Sequence, residues 1–204
     1  MALVKYNNNS ISAVTSAASI PSGAMTLIKT LTASGSSTLS FVDGSSDVVL
    51  DNTYPVYLFK FFNIHPASTQ PFLFQGSTDT GSSYGVTMTS SAFRAYHNEA
   101  GTSTSLSADT GNDQAQATGF QKLHGNIVNS NDHGGSGEMY FFNPSSTTFV
   151  KHFLIKTIRY SSNNFQAQQY CAGYFNTTSA IDAIVFQMSS GNIDSGTIKL
   201  YGVS

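Results

Sequence analysis

The chain has 204 residues, of which 40% are hydrophobic, 12% aromatic and only 10% charged. That length suits one all-β domain, since sandwiches run to about 200–250 residues, and it lets about 70% of the unfolded surface be buried. Low charge signals disorder only where hydrophobicity is also low, so a packed core is expected. The net charge is −2 and the nine basic residues are scattered, with Lys151, Lys156 and Arg159 the nearest grouping. Nucleic acid requires a clustered basic face, so it is not an expected partner.

Cys171 is the only cysteine. An intramolecular disulfide and a cysteine-based metal site are therefore excluded, and Cys171 is expected to be a small buried hydrophobe. No run approaches about 18 apolar residues, so no membrane insertion is expected. No apolar core of a secretory signal follows Lys5, so synthesis in the cytoplasm is expected.

Residues 1–24 are small and polar and lack a helical period. They read as an extended arm that orders on a neighbouring subunit, with Ile11, Val14 and Ile20 as its candidate assembly contacts. Residues 25–204 read as a single β-sandwich domain. The first strand is 25–32, in which Met25, Leu27, Lys29 and Leu31 alternate with Thr26, Ile28, Thr30 and Thr32. Residues 38–42 follow after a Ser/Gly turn, and the two together predict a hairpin. Residues 48–50 predict a short edge piece.

The strongest central strand spans 57–64 and is apolar on both faces, as for a strand covered on both sides or at a subunit interface. Pro55 and Pro66 bracket it, because proline cannot donate within a ladder. Shorter strands are expected at 71–75, 84–89 and 92–97. Residues 98–136 are dominated by Gly, Ser, Asn and Asp and read as loops that could touch a receptor, with one strand at 120–124. Residues 138–143 and 147–160 predict a hairpin around the turn at Asn143-Pro144. Another strand is expected at 166–174. The chain closes on strands 180–188 and 197–201, read as a final hairpin whose Ile184, Phe186 and Met188 form an apolar row in the core. With no convincing helix, the expected fold is an all-β antiparallel β-sandwich, jelly-roll-like, with a polar N-terminal arm.

The carboxylates sit mostly in turns, where Asp bonds the nearby backbone. Glu99 and Glu138 are the only glutamates, and a glycosidase would have to bring them to about 5–9.5 Å. His97 and Glu99 share a strand face, a weak metal pattern, and His133 reads as a solvated loop side chain. Asp109–Asp113 and Asn129–Asp132 offer oxygens to calcium but lack the closing glutamate of an EF-hand. No nucleophile elbow or phosphate-binding glycine motif occurs. No catalytic, cofactor or metal residue is assigned. Tyr84, Tyr96 and Tyr170 are the candidates for stacking on a sugar.

Several phrases occur together: Thr38-Leu-Ser-Phe-Val-Asp, Phe62-Asn-Ile-His-Pro-Ala, Phe142-Asn-Pro-Ser-Ser-Thr-Thr-Phe-Val-Lys-His-Phe and Gly191-Asn-Ile-Asp-Ser-Gly-Thr-Ile-Lys-Leu-Tyr-Gly. They resemble a group of small β-rich virion structural proteins of marine tailed bacteriophages, including those of cyanobacterial hosts. The resemblance spans nearly the whole chain. It implies a non-enzymatic particle component, made in the host cytoplasm and resident in the virion. Its expected partners are other virion proteins and further copies of itself. The expected role is capsid decoration (cement) or a tail or fibre part. The alternative is a carbohydrate- or receptor-binding module of a tail tip, with a host glycan as ligand.

Overall fold

Alternating apolar and polar residues place one face of a strand inward and the other outward, and that pattern recurs along the chain. The computed structural model describes residues 24–162 and 164–204. Its strands are β1 (Met25–Ser36), β2 (Thr38–Val42), β3 (Val56–Pro66), β4 (Gln70–Ser77), β5 (Met88–Asn98), β6 (Thr104–Ala108), β7 (Gln114–Ala117), β8 (Gln121–Ile127), β9 (Gly135–Phe142), β10 (Lys151–Ser161), β11 (Phe165–Phe175), β12 (Ala183–Met188) and β13 (Ile193–Val203). A three-residue 3-10 turn, Thr110–Asn112, is the only helical element among the described residues.

Two antiparallel sheets result. The larger runs β1-β13-β3-β9-β10-β11-β5-β6, with β7 also beside β5, and the smaller runs β2-β12-β4-β8. The all-β sandwich expected from the sequence is thus present. Its core is aromatic. Phe186 of β12 is fully buried, and its ring lies 5.3 Å from both Phe59 and Phe61 of β3, on the facing sheet. It also meets Phe41 of β2 at 6.1 Å and Phe72 and Phe74 of β4 at 5.9 Å and 6.4 Å. Ile184 and Met188 are buried with it, as the row in the sequence implied.

Two hairpins expected from the sequence are corrected. β1 pairs with β13, not with β2, and β2 pairs with β12. The connections β1–β2 and β12–β13 each carry the chain from one sheet to the other. Positive-φ glycines lie at these bends, Gly35 at 64° and Gly191 at 72°, which is backbone that L side chains adopt at a cost. The hairpin of β9 with β10 is present, joined in register from Phe141↔Phe153 to Gly135↔Arg159.

Other boundaries shift for identifiable reasons. Residues 48–50 form no strand, yet Val48 and Leu50 are buried in the core. Residues 84–87 lie outside the ladders, and 88–98 form one continuous strand. The preceding turn is held by Asp79, which accepts from the Ser77, Ser83 and backbone donors; those bonds hold its carboxyl down at about 2. Strand β10 starts at Lys151, not at 147. Residues 98–136, read mostly as loop, contain β6, β7 and β8. Cys171 is buried, as expected, and burial pushes its thiol up to about 12.

The sandwich has two distinct ends. At one, Ser204 N–H donates to Ala24 O at 3.3 Å, so the described chain begins and finishes side by side. At the other lie the connections 66–70, 98–104, 128–134 and 189–193, here called the distal end. The candidate contacts Ile11, Val14 and Ile20 lie outside the described residues.

Candidate functional site

The distal end carries a groove of about 420 Å³ lined by Asn63, His65, Asp132, His133, Asp194 and Ser195, among others. Its floor comes from an irregularity in β3. The pairing of β3 with β9 slips between Phe61 and Ile64, and Asn63 takes a left-handed φ of 49°, which asparagine tolerates better than most residues. Its backbone N–H is then satisfied by Ser136 Oγ at 3.0 Å instead of by the ladder.

Two histidine–aspartate pairs face this groove. His65 Nδ1 lies 3.6 Å from Asp194 Oδ2, and His133 Nε2 lies 3.6 Å from Asp132 Oδ1. His65 Nε2 is engaged by the carbonyl of Ser130 at 3.1 Å. Its Nδ1 faces Asp194 beyond hydrogen-bond range. The groove offers amide, hydroxyl, imidazole and carboxylate groups for polar contacts. The reading of His133 as a solvated side chain is corrected. Its side chain is 15% exposed and packs on the Tyr160 ring at 4.0 Å between centroids. The sequence offered no signal for this, because the contact joins loop 128–134 to β10.

The three candidate tyrosines occupy three separate places. Tyr84 lines a cleft of about 400 Å³ toward the terminal end, with Asn176 and Thr177. Tyr170 lies on the outer face of the larger sheet, stacked on Phe93 at 4.9 Å with 8° between planes. Tyr96 lines a distal cleft and meets Phe165 edge-on at 5.1 Å. The fold builds no shared tyrosine platform.

Glu99 and Glu138 are also kept apart. Tyr160 donates to Glu99 Oε1 at 3.3 Å, whereas Glu138 pairs in register with Lys156. Those two partners stand four residues apart, roughly 13 Å along the strand. Among the described residues no group of three His, Cys, Asp or Glu side chains is arranged to hold a metal. The oxygens proposed for calcium serve local structure: Asp113 Oδ1 accepts from Ala92 N–H at 2.7 Å and Asn129 Oδ1 accepts from Thr69 Oγ1 at 3.0 Å. The scattered basic residues converge more than the sequence indicated, since the register sets Lys199, Lys60, Glu138 and Lys156 side by side across four strands.

Behind the distal end, His124 of β8 is fully buried and neither ring nitrogen has a partner among the described residues. Burial first, and the cation of Arg159 second, push its pKa from 6.5 down to about 3. Below pH 6.5 the unfolded chain takes up a proton that the fold does not accept until about pH 3. Stability that is complete above pH 6.5 is therefore expected to fall between pH 6.5 and 3, by up to about 1.4 kcal/mol per pH unit. Urea midpoints measured across this range should drop for the natural protein and drop less steeply for His124→Phe. Equal slopes for the two would refute the assignment.

No family model matches the chain, no curated protein matches it, and no solved structure matches it.

Proposed function

We propose that this chain is a non-enzymatic structural protein displayed on a tailed-phage particle, as a capsid decoration (cement) subunit or a tail or fibre component. The observation that carries the proposal is the outer face of the larger sheet. Leu27, Phe62, Phe93, Leu154 and Ile158 are each between 42% and 51% exposed there. The register sets Leu27, Tyr201, Leu58, Tyr140 and Leu154 in one row across five strands. The row of Lys199, Lys60, Glu138 and Lys156 crosses the same face, and partly exposed apolar side chains gathered around such a charged row support a contact surface for another protein. It suits packing against another virion protein or a further copy of the chain.

The strand order agrees with this reading. With β5–β7 and β10–β11 set aside, β1-β13-β3-β9 faces β2-β12-β4-β8. We read this as a jelly roll whose larger sheet is extended by the extra strands. Capsid and lectin domains both use that architecture, so it supports a particle role without selecting one. The phrases that resemble those of marine phage virion proteins support the particle as its place. Synthesis in the host cytoplasm and residence in the virion follow from the same reading.

A second reading, a carbohydrate- or receptor-binding module of a tail tip, is favoured by the distal groove, whose amide, hydroxyl and carboxylate side chains suit hydrogen bonds to sugar hydroxyls. Mass spectrometry of purified particles from an infection that expresses this chain tests the first proposal. The polypeptide should be present in a fixed ratio to the major capsid or tail proteins. Particles free of it would overturn the structural role, and a glycan array without binding would count against the second reading.

A further inference from the structure

The geometry points to an oxyanion-binding site in the distal cleft between β5, β10 and β11, with Arg94 and Arg159 as its donors. The ligand class is a single carboxylate, sulfate or phosphate group, free or carried on a small acidic molecule. The site stands independently of any particle role.

The register builds it. On the inner face of the larger sheet, Arg159 of β10 lies opposite Ala167 of β11, which lies opposite Tyr96 of β5. Arg94 sits two residues back along β5, opposite Gln169. The two arginines thus stand on either side of β11, and the small Ala167 between them leaves a cleft of about 210 Å³. Ser161 and Phe165 complete its lining. That volume is below the roughly 300–1,000 Å³ of pockets for drug-sized ligands. It suits one acidic group and a small part of whatever bears it.

Neither cation has a carboxylate within ion-pair distance among the described residues, and the Nε of each is buried without a hydrogen-bond partner. Asp109 is the carboxylate that acts on Arg159 electrostatically, but its side chain is engaged by Asn112. The same corner holds other unpartnered polar atoms: both amide atoms of Gln169, which is 1% exposed, and both ring nitrogens of His124. Buried polar atoms in a folded protein nearly always have a partner. Their concentration around two arginines implies that a polar ligand belongs there.

The guanidinium groups are also held in place. A Cβ added at Gly125 would come within 2.8–3.0 Å of Arg159 Nη1, Nη2 and Cζ, so the absence of a side chain at this position lets the planar group lie against the backbone. Arg94 Cζ sits 5.9 Å from the Tyr96 ring centroid. Two like charges in one half-buried cleft repel; burial, and then the charge of Arg94, lower the affinity of Arg159 for its proton. A bound oxyanion reverses that repulsion and accepts from the fork of donors that guanidinium presents.

Thermal unfolding of the full chain, titrated with sodium sulfate, phosphate or glucuronate against sodium chloride at equal ionic strength, tests the site. A saturable rise in midpoint with at least one of the three is expected, with apparent affinity at least tenfold weaker in Arg94→Gln and in Arg159→Gln. A response to glucuronate indicates a ligand borne on a sugar, and a response confined to sulfate or phosphate indicates the free ion. Relief of the like-charge contact predicts that Arg94→Gln melts no lower than the natural protein in chloride. If Arg159→Gln fails to fold, the Arg94→Gln titration alone decides. A non-saturating rise, or the same curve in natural and variant proteins, would be a general salt effect and would overturn the proposal.

Discussion

Phe186→Ala is expected to destabilise the protein by about 3–5 kcal/mol, the range for removing a buried phenylalanine. The reason is position. Phe186 is fully buried on β12, and its ring touches rings from β2, β3 and β4. Removing it opens a cavity at the point where the two sheets meet, and the five surrounding rings lose their edge-to-face and stacked contacts together. The loss is a large part of the roughly 5–15 kcal/mol that holds a typical domain. At about 2–4 °C per kcal/mol for a chain of this size, the melting midpoint should fall by roughly 10 °C. Phe149→Ala is the control, because Phe149 is 72% exposed and such a change stays within about 0.5 kcal/mol. Urea unfolding of both variants checks the contrast, and a similar small change in each would show that the core does not centre on Phe186.

Deleting residues 197–204 is expected to yield insoluble protein. Strand β13 lies between β1 and β3 and pairs with both along most of its length. The deletion removes the buried Ile198 and Leu200 and leaves Met25–Thr32 of β1 without a partner strand. It also bares the edge of β3, where Phe59 and Phe61 belong to the core. An open, apolar strand edge templates aggregation. Expression followed by fractionation measures the outcome. A soluble truncation with cooperative unfolding would show that β13 is peripheral.

The alternation of side chains was enough to read most strands, because outside β4 and β12, which are buried on both faces, the strands bury one face more than the other. Strand β10 shows how directly this works: Phe153 and Ile155 point inward, while Leu154 and Ile158 are half exposed. Apart from the β9–β10 hairpin, which strand lies beside which was not legible. Period-two patterning fixes a face, not a neighbour. The short β1–β2 connection has the same residue chemistry whether the chain folds back in one sheet or crosses to the other. The Asn63 floor of the distal groove and the Arg94–Arg159 cleft were hidden for a related reason. Asn63 and Ser136 are 73 positions apart and Arg94 and Arg159 are 65 apart (159 minus 94), and only the register across β9, β10, β11 and β5 brings them together. Gln169 and His124 read as ordinary polar residues until their burial was known.

The side-by-side placement of Ala24 and Ser204 also sets a schedule for folding. Met25 pairs with Val203, a separation of 178 residues (203 minus 25). At a synthesis rate of about 5–20 residues per second, β1 leaves the ribosome roughly 9–36 seconds before β13, its one ladder partner among the described residues, exists. During that interval the edge of the larger sheet cannot close, and β3 lacks the strand that separates it from β1. Contacts this distant in sequence also slow folding once the chain is complete. The domain therefore completes its sandwich only once β13 has emerged from the ribosome.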